Sequence, residues 1–279
     1  MAGGFVTRFA PSPTGLLHRG HAFSALTAYQ AARAEGGRFL LRIEDIDTDR
    51  CRPEHQAAIY RDLAWLGLEW EQPVRRQSEH MADYHAALGR LRARGVLYRC
   101  FRTRREILDE IGQAPHGEDA PPFHGAPLPP GEESMRLERG DAFAWRLSLA
   151  AAARELGPDW SSLSFLEGGD AIRATPETLG DVILARKDLG VAYHLAAVVD
   201  DARQGITCVI RGEDLFQATS VQCLLQTLLG LPTPAYRHHR LLLRPDGKRF
   251  AKRDTGETLA DVRARGVSAE TLRRELGFD

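Results

Sequence analysis

The sequence predicts an α/β protein whose doubly wound parallel sheet is interrupted by an insertion and followed by a short C-terminal piece. Two observations carry this prediction. Apolar strand-like segments alternate with amphipathic helix-like segments from residue 5 to residue 95, and a proline-rich stretch without hydrophobic periodicity separates them from a second patterned region. The length of 279 residues allows one large domain or two modest ones.

The first half of the predicted sheet domain spans residues 1–97. Phe5–Ala10 is an apolar run that ends in the Pro/Gly loop Pro11–Gly15, and Arg38–Ile43 is apolar enough to form a buried parallel strand. Between these strands, apolar residues recur at helical spacing until a pair of glycines. The predicted elements are strands over 5–10 and 38–43, and helices over 21–35, 53–67 and 81–95.

The rest of the chain divides into three parts. Residues 98–180 form the predicted insertion, because prolines and glycines crowd residues 112–133, although 143–149 has a strand pattern. Residues 181–240 form the second half of the sheet domain, and residues 241–279 form a loop with a short helical tail. In the second half, the patterns predict strands over 181–187, 192–199 and 205–210, and a helix over 219–229.

Composition excludes several classes of protein. The 37 lysines and arginines balance 38 aspartates and glutamates, so the net charge of −1 gives no general attraction for nucleic acid. No apolar run approaches the ~20 residues of a membrane helix, and the N-terminus lacks the regions of a signal peptide. Four scattered cysteines without a CxxC pair favour reduced thiols. We therefore expect a cytoplasmic protein that has no membrane segment. The composition leaves the oligomeric state open, and we expect a monomer.

The strongest chemical signal is the string Arg8–His21, which joins the first predicted strand to the first predicted helix. The free N–H groups of a helix N-terminus favour a phosphate, His18 and His21 can donate to it, and Gly20 allows a close approach. A Pro/Gly turn with incidental surface histidines is the alternative for the short His-x-Gly-His pattern alone. The full string is far more specific.

A second signal is the acidic group Glu44, Asp45 and Asp47 at the carboxyl end of the second predicted strand. Open α/β sheets bind ligands at that edge, and a buried carboxylate there can hold a substrate ammonium. Helix capping is the alternative explanation for Asp47.

The last signal is a basic loop at residues 247–253. Arginine is the basic residue almost everywhere in this chain, yet Lys248 and Lys252 both lie in this loop, and Lys187 is the only other lysine. A flanking glycine and compact ammonium groups suit a loop that braces a polyphosphate. Chance retention of two lysines in an arginine-biased chain is the alternative.

Together these motifs resemble the class I aminoacyl-tRNA synthetases of the glutamyl type. His18-Arg19-Gly20-His21 stands where that family has its His-Ile-Gly-His signature, and Arg249–Arg253 resembles its Lys-Met-Ser-Lys-Ser loop, with Lys252 at the second lysine. The similarity covers nearly the whole chain and implies a nucleotide-binding Rossmann-type domain with an acceptor-type insertion. Arg19 and Arg249 depart from the two motifs, but the histidines and Lys252 are retained.

The resemblance also implies substrates and site residues. ATP, with Mg²⁺, is expected over the His18–His21 turn, where the α-carboxylate of glutamate attacks the α-phosphorus to give glutamyl-adenylate. A glutamate pocket needs guanidinium donors for two carboxylates and an acid for the ammonium, and the sequence leaves open which arginine binds which carboxylate. The implied catalytic residues are His18, His21 and Lys252. The implied ATP-binding residues are His18, Gly20, His21 and Lys252, and the implied glutamate-binding residues are Arg8, Phe9, Ala10, Pro11, Ser12, Glu44, Tyr193 and Arg211.

Only residues 254–279 follow the lysine loop, where full glutamyl-tRNA synthetases carry a large helical anticodon-binding region. The resemblance therefore points to the truncated branch of the family, which attaches glutamate to the queuosine base in the anticodon of tRNA(Asp). A minimal glutamyl-tRNA synthetase that charges a tRNA 3′ end is one alternative. An inactive paralogue that binds tRNA or glutamate is another, although the retained Lys252 argues against it.

Many relatives bind zinc in the insertion through a Cys-x-Cys pair, a tyrosine and a further cysteine. Here Cys100 has no second cysteine beside it and makes a poor tetrahedral set with His116 and His124, so we predict that zinc is absent. Because the net charge gives no general attraction for nucleic acid, contacts to tRNA must come from local arginine clusters. For the cluster Arg90 to Arg94, a solvated helix face is the alternative. The candidates are Arg90, Arg92 and Arg94, residues 99–105, and residues 237–240.

Overall fold

The computed structural model describes residues 4–103, 105–107, 122–186, 190–242 and 257–278. The strands are β1 (Val6–Phe9), β2 (Arg38–Ile43), β3 (Arg75–Arg76), β4 (Leu97–Cys100), β5 (Ala144–Leu147), β6 (Ser164–Glu167), β7 (Asp170–Arg173), β8 (Ile183–Arg186), β9 (Gly190–Val191), β10 (Cys208–Gly212) and β11 (Ala235–His239). The helices described below are α1 (Arg19–Ala34), α2 (Pro53–Trp65), α3 (Met81–Ala93), α4 (Pro130–Glu138), α5 (Leu149–Leu156), α6 (Tyr193–Arg203), α7 (Phe216–Leu229), α8 (Leu259–Ala264) and α9 (Ala269–Glu275).

The centre of the fold is made of two parallel sheet segments that meet edge to edge. β1 pairs with β2 and β2 with β3, while β10 pairs with β11 and β11 with β6, all in parallel. At the junction the Thr207 N–H donates to the Val6 carbonyl at 3.0 Å, and the Val6 N–H donates to Thr207 Oγ1 at 2.8 Å. β7 lies antiparallel to β6 at the outer edge.

Helices cover both faces of this sheet. Phe39 and Leu41 of β2 belong to one core, with residues of α1, α2, α8 and α9, whereas Leu40 belongs to a second core, with residues of α3, α6 and α7. Successive side chains of a strand point to opposite faces, so the continuous apolar run in β2 is what two buried faces require. The predicted doubly wound α/β class is therefore confirmed.

A separate antiparallel sheet, in the order β4, β5, β8, β9, combines strands of the predicted insertion with two strands that follow residue 181. The strand expected within 143–149 is β5, and the strand expected over 181–187 is β8, which joins this sheet. β6 and β7 precede residue 181 and join the parallel sheet through β11. The domain boundaries given above stay a prediction.

The strand predicted over residues 192–199 is wrong, because these residues begin helix α6. A short apolar run has no period that separates a buried strand from a buried helix, and α6 is buried over most of its surface. Asp200 and Asp201 lie in the last turn of α6 and are buried. Both carboxylates form ion pairs with arginines of β1 and β2.

The C-terminal tail packs against the start of α1. The Leu259 N–H donates to the Leu17 carbonyl at 2.8 Å, so the start of α8 is hydrogen-bonded to the loop that precedes α1. Arg19 donates to Glu257 Oε2 at 3.2 Å and to Glu275 Oε2 at 2.6 Å. The arginine that departs from the family signature therefore ties the tail to the histidine-containing turn.

Candidate active site

A cavity of about 550 Å³ opens at the carboxyl ends of β1, β2 and β10, the edge at which open α/β sheets bind ligands. All the residues that the resemblance assigned to glutamate and ATP line it, apart from Lys252, which lies outside the described residues. The predicted residues that the fold brings together are Arg8, Phe9, Ala10, Pro11, Ser12, His18, Gly20, His21, Glu44, Tyr193 and Arg211.

The turn before α1 fixes both histidine rings. His18 is the N-cap of α1, its Nδ1 accepts from the Gly20 N–H at 3.1 Å, and His21 Nδ1 accepts from the His18 N–H at 3.1 Å. In a neutral imidazole, an Nδ1 acceptor leaves the proton on Nε2. The turn therefore offers two ring N–H donors beside the helix N-terminus, an arrangement that suits a phosphate.

A buried chain of charges runs under the cavity. Arg8 Nε donates to Asp201 Oδ1 at 3.0 Å, and Arg42 donates to the same oxygen at 2.6 Å and to Glu44 Oε1 at 3.0 Å. All four residues are buried or nearly so, and only Glu44 reaches the cavity with an appreciable exposed fraction, 11% of its side chain. Asp201 therefore neutralises most of the charge of Arg8.

These contacts shift the two carboxyl groups in opposite directions. Burial raises the pKa of Glu44 above its usual range, because the neighbouring guanidinium of Arg42 offsets only part of the desolvation. Burial also acts to raise the pKa of Asp201, but Arg8 and Arg42 together hold that pKa below its usual range. As the pH falls, Glu44, which lines the cavity, therefore takes up a proton before Asp201 does. Asp201 stays an anion over the usual aspartate range.

Asp200 anchors the helix that carries Tyr193 and Asp201. Its carboxylate is fully buried and accepts from Arg75 Nε at 2.6 Å, from Gln77 Nε2 at 2.8 Å and from the Tyr84 hydroxyl at 2.9 Å. A buried carboxylate needs such a complete set of partners to be tolerated. These contacts fix the C-terminal end of α6 against β3 and α3.

Arg211 is buried like Arg8 but is held by neutral groups. Its side-chain acceptors are His238 Nε2 at 3.2 Å, Gln222 Oε1 at 2.8 Å and Thr219 Oγ1 at 2.7 Å, with the Leu215 carbonyl at 3.2 Å. Among the described residues, no carboxylate forms an ion pair with this guanidinium. The positive charge of Arg211 is therefore available to an anionic ligand in the cavity.

Two residues of α6 lie close to this guanidinium. The Tyr193 hydroxyl lies 3.5 Å from Arg211 NH1 and is the longest of its polar contacts. Burial, together with the nearby charge of Arg211, lowers the pKa of His194 to about 4, so this imidazole is neutral. Neither Tyr193 nor His194 therefore offsets the positive charge of Arg211.

A smaller cavity of about 270 Å³ shares Ser12, Glu44 and Tyr193 with the first. Asp47 lines it and accepts from Arg50 twice, from the backbone N–H at 3.3 Å and from Nε at 2.6 Å. Asp47 thus closes a local turn, and the N-cap of α2 is Arg52, so helix capping does not explain Asp47.

Comparison with known proteins decides the family. The model described as "tRNA synthetases class I (E and Q), catalytic domain" matches residues 5–277. The chain belongs to the class I tRNA synthetases. The cavity beside the His18–His21 turn is the candidate active site.

Individual relatives are similar over most of the chain. The Glutamyl-Q tRNA(Asp) synthetase of Rhodobacter capsulatus is 48% identical, over 98% of this chain and 100% of the relative. The protein of that name from Symbiobacterium thermophilum is 42% identical, over 97% of this chain and 85% of the relative. A crystal structure of a glutamate tRNA ligase from Elizabethkingia meningosepticum, in complex with its amino acid, superposes with a TM-score of 0.74 at 29% identity. This chain is covered to 90% there but spans only 52% of that ligase.

Sequence reasoning missed several residues that line the cavity. Gly212 ends the strand that carries Arg211, and a Cβ there would lie 2.5 Å from Asp214 Oδ1 and 2.9 Å from Leu241 Cδ2, so a larger residue would require both side chains to shift. A glycine that ends an apolar strand was the signal that could have identified it. The other cavity residues that were not assigned to the site are Phe23, Ser24, Ile210, Asp214, Leu215, His239, Leu241 and Leu242.

In the insertion, where many relatives bind zinc, the described residues form no cluster of metal ligands. Cys100 is buried, and the neighbouring Tyr98 hydroxyl donates to Asp181 Oδ2 at 2.9 Å. His124 is half exposed, and His116 lies outside the described residues. The absence of zinc stays a prediction.

Several of the arginines considered for tRNA binding have partners within the fold, including Arg99, which pairs with Glu133, and Arg237, which pairs with Glu35. Arg90 donates to the Leu229 carbonyl at 3.3 Å, and Arg94 donates to the Leu228 carbonyl at 2.6 Å, so both join α3 to the C-terminus of α7. Arg92 instead lies over the ring of Trp145, 4.6 Å from its centroid.

Within the described segments, no helix combines the length and the apolar composition needed to cross a membrane.

Proposed function

We propose that this protein is a ligase that activates glutamate with ATP and transfers the glutamyl group to the queuosine base in the anticodon of tRNA(Asp). The family, the names of the relatives that match nearly full length, and the chemistry of the cavity support this proposal. The observation that carries the choice of amino acid is the buried guanidinium of Arg211, which has only neutral partners among the described residues.

The cavity offers complementary groups for each part of glutamate. Arg211 supplies an uncompensated positive charge for a carboxylate, and an ionic hydrogen bond between guanidinium and carboxylate is stronger than one to a neutral amide. Glu44 supplies a carboxylate for the ammonium group. Arg8 lines the same cavity, but its charge is largely taken up by Asp201, so we assign the main carboxylate-binding role to Arg211.

Activation proceeds by attack of an α-carboxylate oxygen on the α-phosphorus of ATP, carried with Mg²⁺. The bond from the α-phosphorus to the bridging oxygen breaks, pyrophosphate leaves, and a mixed anhydride with AMP remains. We assign the donation to phosphate oxygens to the His18 and His21 Nε2–H groups and the N-terminus of α1, a role that their Nδ1 contacts support, because preorganised donors supply most of the catalysis in phosphoryl transfer. We assign charge neutralisation on the pyrophosphate side to Lys252.

Transfer to the RNA uses a hydroxyl of the queuosine base as the nucleophile. Its oxygen attacks the carbonyl carbon of the anhydride, the bond from this carbon to the phosphate oxygen of AMP breaks, AMP leaves, and the hydroxyl proton is released to solvent. The smaller cavity shares Ser12, Glu44 and Tyr193 with the glutamate site, and we propose that the acceptor enters through it.

The first test is ATP–pyrophosphate exchange with glutamate, in the presence and absence of tRNA. We expect exchange without tRNA, with glutamine much poorer than glutamate. Exchange that requires tRNA would favour a minimal glutamyl-tRNA synthetase, and no exchange under either condition would favour an inactive binding paralogue.

The second test measures transfer of labelled glutamate to tRNA(Asp) with and without queuosine, each with the 3′ nucleotide removed. Removing the nucleotide is preferable to periodate treatment, because periodate also attacks the queuosine diol. We expect label only on the queuosine-containing tRNA. Label on intact tRNA(Glu) instead would overturn the proposed acceptor.

A further inference from the structure

Three adjacent strands place Glu167, His238 and Arg211 in one hydrogen-bonded line. Glu167 ends β6, His238 lies in β11 and Arg211 lies in β10, and these strands pair side by side. His238 Nδ1 lies 2.7 Å from Glu167 Oε2, and Arg211 Nε lies 3.2 Å from His238 Nε2. Neither Glu167 nor His238 lines the main cavity, whereas Arg211, to which His238 is hydrogen-bonded, does.

Glu167 determines which nitrogen of His238 carries the proton. Its Oε1 accepts from the backbone N–H of His238 at 2.7 Å, and its Oε2 faces Nδ1, so the carboxylate binds the residue twice. A carboxylate can only accept, so Nδ1 carries the proton and Nε2 is left as an acceptor. The side chain of His238 is 4% exposed, so water cannot replace this arrangement.

An acceptor at Nε2 is what Arg211 requires. Its Nε–H points at His238, and its two terminal nitrogens donate to Thr219 and Gln222 of α7. With the other tautomer, two N–H donors would face each other across 3.2 Å. The imidazole therefore fixes the plane of the guanidinium without cancelling its charge, in contrast to Asp201 beside Arg8.

We infer that Glu167 and His238 are positioning residues that orient Arg211 toward a substrate carboxylate and so help select glutamate over glutamine. This inference rests on the proposed function. A neutral relay keeps the full charge of Arg211 for the ligand, and an amide substrate gains much less from that charge than a carboxylate does.

The alternative is that His238 merely fills space. Its ring lies parallel to that of Tyr236, with centroids 6.0 Å apart, and edge-on to Phe216 at 5.1 Å. If packing were its only role, substitutions would lower thermal stability and affect both substrates alike. The test must therefore separate the KM for glutamate from the KM for ATP.

Two conservative variants separate the contacts that His238 makes through Nδ1, to Glu167, from those that it makes through Nε2, to Arg211 and to Thr219 Oγ1 at 3.3 Å. In His238→Gln, the amide oxygen can take the place of Nε2 and accept from Arg211. In His238→Asn, the amide nitrogen can take the place of Nδ1 and donate to Glu167, but the side chain is too short to reach Arg211. Glu167→Gln cannot accept from both N–H groups of His238 at once. The exposed residues His85 and Glu69 give matched controls, His85→Gln and Glu69→Gln.

The readout is glutamate-dependent ATP–pyrophosphate exchange, with melting temperatures measured in parallel. We expect His238→Asn and Glu167→Gln to raise the KM for glutamate about tenfold to hundredfold, as loss of a hydrogen bond to a charged group implies, with the KM for ATP unchanged. The preference for glutamate over glutamine should fall as the KM for glutamate rises. His238→Gln should return the KM to within about threefold of wild type, as the controls should.

A wild-type KM for glutamate in His238→Asn would overturn the inference. So would equal changes in both KM values accompanied by a lower melting temperature, since that pattern indicates packing alone. A wild-type protein that shows no glutamate-dependent exchange would instead overturn the proposed function, and the inference with it.

Discussion

Substitution of Glu44 by glutamine tests the ammonium site of the cavity. The replacement keeps the size of the side chain and an oxygen that can accept from Arg42, whose NH2 lies 3.0 Å from Glu44 Oε1. It removes the negative charge that we assign to the ammonium of glutamate. The fold should therefore survive, whereas glutamate binding should weaken.

The structure sets the size of this effect. Truncating one partner of a buried charge pair at a binding site costs about 2–5 kcal/mol, much of it from the unpaired charge that remains. Glu44 already shares its charge with Arg42 and reaches an open cavity, so we expect the lower part of this range, about 2–3 kcal/mol. At about 1.4 kcal/mol per tenfold change, the KM for glutamate should rise about 30-fold to 160-fold.

The pH dependence supplies a second, independent readout. Burial raises the pKa of Glu44, so in the wild type the KM for glutamate should increase as the pH falls through that raised pKa and the carboxylate is neutralised. Glutamine does not titrate, so this acid limb should be missing from Glu44→Gln. Pyrophosphate exchange measured from pH 5 to pH 8, with Glu69→Gln as the surface control, gives both quantities.

Two results would refute this reasoning. A KM within about threefold of wild type would mean that Glu44 does not bind the ammonium, because about 0.7 kcal/mol is too little for a buried ionic contact. An acid limb that persists unchanged in Glu44→Gln would mean that another group titrates there.

Three further predictions concern other parts of the molecule. Lys252→Ala should lower the rate of exchange far more than it raises the KM for glutamate or ATP, since its charge acts in the transition state; equal losses would contradict this. Asp201→Asn should lower the free energy of unfolding by about 3 kcal/mol in urea titrations at pH 7, because Arg8 and Arg42 lose a shared buried anion. The pKa of Asp201 is lowered in the folded state, so its stabilisation is complete above the usual aspartate range and is lost on acidification, and the variant should approach wild type at low pH. Arg94→Ala should lower stability by about 1 kcal/mol and leave the salt dependence of tRNA binding unchanged, because its guanidinium donates to a carbonyl at the end of α7; a slope reduced by about 0.7–0.9 would instead indicate a phosphate contact.

Local patterns in the sequence were sufficient for the frame of the site. β1 and β2 were predicted because alternation and apolar content are properties of neighbouring residues. His18 and His21 could be placed at a helix start because the Pro/Gly loop before them ends a strand. The helix α6 was missed, since the apolar run at 192–199 has the same composition whether it is a buried strand or a buried helix.

The sequence by itself indicated the motif residues that meet at the cavity, through their resemblance to the family and because the carboxyl ends of parallel strands lie at one edge of the sheet, but it did not indicate the other residues that line the cavity. Only the tertiary structure decided what each of them can do there. Arg8 and Arg211 are both arginines at the ends of apolar strands, yet Asp201 cancels the charge of the first, while a neutral imidazole holds the second. Ion pairing depends on contacts between residues far apart in the chain, and no local pattern records which carboxylate will lie beside which guanidinium.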